Sequence, residues 1–171
     1  LDNHHWIESL QNVIKEVLNN SMPLLGICFG HQIIAQALGG EVIKNPKGWE
    51  LGSFKISFNN FGTRNILFKN INKDDYFYES HQDIVNKLPC NAIELASNEM
   101  GIQAFSINEL IYGIQFHPEF SYKIMDKYVK VRYNSGIIKE YLKHKISKTS
   151  YMVLINFVEF VKERVYAKTN N

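Results

Sequence analysis

Between residues 5 and 20, "HWIESLQNVIKEVLNN" sets Trp6, Ile7, Leu10, Ile14, Val17 and Leu18 at helical spacing on one face, and Asn19, Asn20 and Pro23 close the run. An amphipathic helix is predicted there. "PLLGICF" follows as a short apolar run without alternation, the pattern of a strand covered on both faces. A second helical pattern then places Ile33, Ile34, Ala37 and Leu38 inward and stops at Gly39 and Gly40. From Glu41 to Gln115 the signals turn to strands: "EVIK", "WELGSFKISF", "NILF", "DYFYES", "AIELAS", "IQAFSI" and "LIYGIQF", divided by Asn, Gly, Pro and Lys. Phe54, Ile56 and Phe58 alternate with Lys55 and Ser57, as in half-exposed antiparallel strands. Beyond Glu119 the period returns to helical, with Ile124, Tyr128 and Val131 at helical spacing, then a lysine-rich segment and the helical pattern "YMVLINFVEFVKERVY".

Helix, strand, helix, a run of strands and further helices predict an α/β sheet with antiparallel additions. Without repeats or low-complexity linkers, residues 1–171 read as a single domain, and 45% hydrophobic with 21% charged residues is the composition of an ordinary globular chain. The net charge of +2 comes from scattered lysines with no basic, aromatic-interleaved run, which points away from nucleic acid and anionic membranes. The longest apolar stretch is interrupted by Asn156 and Glu159, so no membrane span is predicted. Two cysteines, Cys28 and Cys90, give no disulfide framework, which suggests a reducing, cytoplasmic setting.

Candidate chemistry concentrates in two segments. In "GICFGHQ", Cys28 stands between glycines where the apolar run meets a helix, the form of a nucleophile elbow. A helix N-terminus and a neighbouring histidine lower a thiol's pKa, which predicts that Cys28 is alkylated before Cys90, a loop bystander. The base is offered by "GIQFHPEF": His117 ends a strand, Pro118 keeps the chain extended, and Glu119 projects to the same side two residues on, where it can orient the imidazole. Cys28, His117 and Glu119 therefore take triad roles. His31 is expected to be structural, and His4 and His5 lack partners at metal-ligand spacing, so no metal is expected.

"PLLGICFGHQIIAQALGG" and "GIQFHPEF" resemble the two signature blocks of the class I glutamine amidotransferases. "NPKGWELG" and "ESHQDIV" further resemble the subgroup that includes GMP synthases and enzymes acting on γ-glutamyl peptides, and the likeness runs from about Asn3 to the C-terminal helix. The resemblance implies a flavodoxin-like, doubly wound, mostly parallel sheet. It also implies a cysteine hydrolase that cleaves the γ-glutamyl amide of glutamine or a γ-glutamyl peptide through a thioester, with no cofactor. Carried over to this chain, it implies Phe29 as the backbone donor to the oxyanion beside Gly30, Gln32 in the substrate pocket and the backbone around Gln82 at the α-carboxylate, with Asp83 the acidic position beyond it. The alternative readings are a helix-surface amide for Gln32 and a helix cap for Asp83. In that family the second oxyanion donor comes from a glycine-rich loop after two N-terminal βα units. Neither is found before the first helix of a chain that opens at Leu1, so the domain is expected to be N-terminally incomplete and a poor hydrolase alone. A synthetase or other ammonia-accepting partner fits the family, since no ATP-binding glycine loop is encoded. The rival reading is a non-catalytic regulatory or assembly domain that keeps the fold.

Overall fold

A computed structural model describes residues 5–141 and 143–169, with side-chain environments through Arg164. His4 lies outside the described residues; His5 opens the first helix, its side chain exposed. Among the described residues, helices α1 (His5–Asn19), α2 (Phe29–Ala37), α3 (Tyr122–Asn134) and α4 (Met152–Thr169) accompany nine strands. These are β1 (Leu24–Ile27), β2 (Glu41–Lys44), β3 (Glu50–Phe54), β4 (Ser57–Phe58), β5 (Phe77–His81), β6 (Asp83–Lys87), β7 (Ala92–Asn98), β8 (Gly101–Ile107) and β9 (Ile111–Ile114).

The expected mixed α/β architecture with a central sheet is present. Its order is β1-β9-β8-β7-β4, and its parallel part is the β1–β9 pair, with Leu24 beside Ile111 through Ile27 beside Ile114. The remaining pairings are antiparallel, because β7, β8 and β9 follow one another through short turns that leave no room for a crossover. Two antiparallel ribbons, β2–β6 and β3–β5, stand beside it.

One sheet face is covered by α1 and α2, where Ile7, Ile14, Ile33, Ile34 and Ala35 meet Phe105, Ile107 and Ile111. On the other, Val153 and Phe160 of α4 close over Phe77, Tyr112, Ile114 and Phe116. Burying aromatic and branched side chains on both faces is what makes "LIYGIQF" read as a continuous apolar run.

Two local expectations differ from the structure, and the apolar spacing of α3 does not mark its buried face. "NILF" is a 3₁₀ turn at Ile66–Phe68 rather than a strand, because the Asn65 side chain accepts a hydrogen bond from the Leu67 N–H and caps the turn. Helix α3 buries Met125 and Val129 against Leu51 and Tyr78, whereas Ile124, Tyr128 and Val131 face outward. The segment after "ESH" continues as β6, and Asp83 is the first residue of that strand rather than a helix cap.

Candidate active site

Cys28 lies in the corner between β1 and α2. Its backbone has φ 51° and ψ −102°, a strained conformation for a residue with a Cβ, and its N–H donates to the Ile114 carbonyl at 2.9 Å. A tight corner requires the helix to start close above the strand. Gly26 allows this, since a Cβ there would fall 2.5 Å from the Gly30 carbonyl and from Ile34 Cδ1. Gly30 has the opposite surroundings: beyond its chain neighbours and the helix's own backbone, no atom lies within 4 Å of where its Cβ would be, so space is open over the first turn of α2.

The predicted ease of ionising Cys28 is not met. Burial pushes the thiol up to about 12, Glu79 and Glu119 add to the rise, and the Phe29 N–H directed at the sulfur and the charge of Arg132 oppose it only in part. At neutral pH the group is a thiol and needs a base in order to attack. Cys90 is exposed.

His117 follows β9 three residues after Ile114, and its N–H donates to the Tyr78 carbonyl at 2.8 Å, tying it to β5. The ring Nδ1 donates to Glu119 Oε1 at 2.6 Å, which leaves Nε2 as the free basic nitrogen. Phe120 stacks on the imidazole, with centroids 4.1 Å apart and planes 13° from parallel. The H-x-E spacing thus produces the contact expected of it, with the ring held from two sides.

Gln32 is buried rather than on the helix surface; its amide nitrogen donates to the Asp83 carbonyl at 2.8 Å and to Gln115 Oε1 at 3.2 Å. This joins the elbow helix to the start of β6. Gln82 forms the bend between β5 and β6, its carbonyl accepting from the Asn45 N–H at 2.8 Å. His31, fully buried on Phe105 with centroids 4.9 Å apart, has the structural surroundings expected of it.

A cluster that sequence patterns did not reveal lies within electrostatic reach of the thiol through Glu79. His81 Nε2 sits 3.1 Å from Glu50 Oε2 and 3.2 Å from Glu79 Oε2, all three side chains buried. His81 Nδ1 donates to the Asp83 carbonyl at 3.0 Å, and Glu50 accepts from Asn98 at 2.5 Å and Gln103 at 3.0 Å. Burial alone would lower the His81 pKa, but the flanking carboxylates override it and hold the ring protonated. Burial raises that of Glu79. Ligand-type atoms of the three residues lie within 4.8 Å of one another, yet His81 already spans both carboxylates, so the group reads as an ion triad rather than an open metal centre. The signal available in the sequence was "ESH", which places Glu79 and His81 on one side of a strand.

Residues 2–132 match the model of the family described as glutamine amidotransferase class-I. The chain belongs to that family. It is 41% identical over 118 residues to a glutamine-hydrolyzing GMP synthase subunit of Methanococcus vannielii, covering 68% of this chain and 60% of that protein. It is 35% identical over 138 residues to gamma-glutamyl peptidase 4 of Arabidopsis thaliana, covering 79% and 55%. Among solved structures, a glutamine amidotransferase from Thermotoga maritima superposes with a TM-score of 0.67 at 24% identity, over 91% of this chain and 63% of that one, a likeness of fold. The chain spans about 60% of the length of the first curated relatives it matches. Among the described residues, no helix is long and apolar enough to cross a membrane.

Proposed function

We propose that the chain is a Cys-His-Glu hydrolase of γ-glutamyl amides. The observation that carries this reading is the strained Cys28 corner, hydrogen-bonded to the end of the strand that leads into the His117–Glu119 pair. Cys28 attacks the γ-carbonyl as His117 Nε2 takes the thiol proton, and Glu119 stabilises the resulting imidazolium through Nδ1–H. The developing oxyanion is received by the Phe29 N–H. His117 then passes its proton to the departing nitrogen, ammonia or an amine, and a γ-glutamyl thioester remains on Cys28. A water deprotonated by His117 hydrolyses the thioester, releasing glutamate and restoring the thiol. Gln32 and the backbone around Gln82 form the wall for the glutamyl moiety.

Two substrates fit this chemistry, glutamine and a γ-glutamyl peptide. With glutamine, the ammonia would pass to a synthetase partner, in line with the GMP synthase subunits among the relatives. With a γ-glutamyl peptide no acceptor is needed, in line with the peptidase relative. Both free cysteines suit a reducing cytoplasm.

The test is glutamate release from glutamine and from γ-glutamyl-alanine, by the wild-type chain and by Cys28→Ala. Release that disappears in the variant supports the hydrolase. Binding of either compound without release by the wild type would favour the assembly-domain reading, towards which the high thiol pKa also leans.

A further inference from the structure

From the proposed base, a line of rings leads to a single cation. Phe120, stacked on His117, lies 4.9 Å from the Tyr128 ring; the Arg132 guanidinium sits 5.1 Å from Tyr128 and 4.9 Å from Trp49. The helix dictates this arrangement. Met125 and Val129 fasten α3 onto Leu51 and Tyr78, so Arg132, three residues beyond Val129, projects from the same side toward Trp49 just before β3. Tyr128, four residues before Arg132, supports it from below.

The guanidinium carbon lies within cation–π reach of both rings. Among the described residues, Arg132 has no ion-pair partner, and its Nε is buried without a hydrogen bond. Its charge also acts on Cys28, the group expected to attack. A half-buried guanidinium held against two rings, within electrostatic reach of the nucleophile and without an ion-pair partner among the described residues, is suited to receive a planar anion that arrives with the substrate.

We infer that Arg132 is a specificity residue that binds the carboxylate of the leaving half of the substrate, which makes the preferred substrate class γ-glutamyl peptides ending in a free carboxylate rather than glutamine. This rests on the proposed γ-glutamyl hydrolase reading and deepens it. The leaving half is favoured over the glutamyl half because Arg132 and Tyr128 are partly exposed, whereas Gln32, Glu79 and His81 are buried.

The test compares γ-glutamyl-alanine with γ-glutamyl-alaninamide, which differ only in the remote carboxylate. Binding is measured by calorimetry on Cys28→Ser, with Arg132 intact, as Arg132→Gln and as Arg132→Lys. With Arg132 the acid is expected to bind roughly 10- to 100-fold tighter than the amide, the range of a charge-assisted bidentate contact. The preference should fall to about unity in Arg132→Gln and be only partly kept in Arg132→Lys, which retains charge but not the planar fork. Equal affinities with Arg132 intact, an unchanged preference in Arg132→Gln, or no binding of either compound would overturn the inference. Equal weakening of both compounds in Arg132→Gln would overturn it too, by assigning the cation to the glutamyl half. Glutamate release by the wild type keeps the two readings apart. Release without a carboxylate preference refutes the role of Arg132 alone, and carboxylate-dependent binding without release refutes the hydrolase alone.

Discussion

Gly26 and Gly113 are register partners in the parallel pair β1–β9, and both lie beneath α2. A Cβ on Gly26 would meet the Gly30 carbonyl at 2.5 Å; one on Gly113 would meet the Phe105 ring at 2.5 Å and His31 Nδ1 at 2.9 Å. Two adjacent strands thus give up their side chains at the same level, and the helix that follows Cys28 settles into the gap.

The first prediction follows from that contact. Overpacking against backbone costs about 1–3 kcal/mol, or roughly 2–4 °C in melting temperature per kcal/mol for a chain of this size. Gly26→Ala should be destabilised by this amount or more, because backbone cannot swing aside as a side-chain tip can. Gly30→Ala, with open space around its Cβ, should melt within about 1 °C of wild type. Thermal denaturation of the two variants checks this, and similar shifts in both would mean that the helix does not rest on β1 as described.

The second concerns the hydrogen bond between His117 Nδ1 and Glu119 Oε1. Glu119→Gln can keep a contact, but it removes the carboxylate that selects the tautomer and stabilises the imidazolium, a loss of about 10²- to 10⁴-fold in turnover in triads of this kind. Glu119 is exposed, so the melting temperature should hardly change. Wild-type turnover in this variant would remove Glu119 from the mechanism.

The elbow and the His117–Glu119 pair were legible in the sequence because each is local: a strand-to-helix corner flanked by glycines, and two side chains two residues apart on extended backbone. The Glu50–His81–Glu79 triad was not, since Glu50 meets His81 only through the β3–β5 register, which no local period encodes. The buried face of α3 was not legible for a related reason. Ile124, Tyr128 and Val131 make the more hydrophobic stripe, but the β3–β5 ribbon accepts Met125 and Val129, and Tyr128 is used instead in the ring contacts with Phe120 and Arg132. The 3₁₀ turn at Ile66–Phe68 was hidden because one Asn side-chain hydrogen bond outweighs the strand preference of three apolar residues.

A third prediction concerns acid stability. Burial lowers the pKa of His31 from 6.5 to about 3, so between those values the unfolded chain takes up a proton there that the folded chain refuses. The contribution to stability is complete above about pH 6.5 and is lost as pH falls toward 3, at about 1.4 kcal/mol per unit. His31→Met, apolar and similar in volume, should flatten the acid side of the stability profile between pH 6 and about 4. Parallel profiles for the two proteins in urea denaturation would show that His31 is not held neutral in the core.

The last prediction sets the two cysteines against each other. Because burial holds the Cys28 thiol near 12 while Cys90 is exposed, iodoacetamide at pH 7.5 should alkylate Cys90 first, reversing the order that the elbow motif alone suggests. The Cys28 rate should keep climbing as pH rises through 9 and 10, since the thiolate fraction grows about tenfold per unit until the pKa is reached. Glu79 is the next contributor after burial to that raised value, so Glu79→Gln should move the Cys28 profile to lower pH while leaving Cys90 unchanged. A glutamine-like electrophile behaves differently. Once bound, it presents its reacting carbon to the sulfur beside His117, which can take the thiol proton as the bond forms, so labelling at neutral pH should fall on Cys28 and be suppressed in His117→Asn. Mass spectrometry of both reactions across pH 6.5–10 is the measurement. Preferential iodoacetamide labelling of Cys28 at pH 7.5 would show that the thiol is already ionised and needs no base, and His117 would then act only as the acid that protonates the leaving amine.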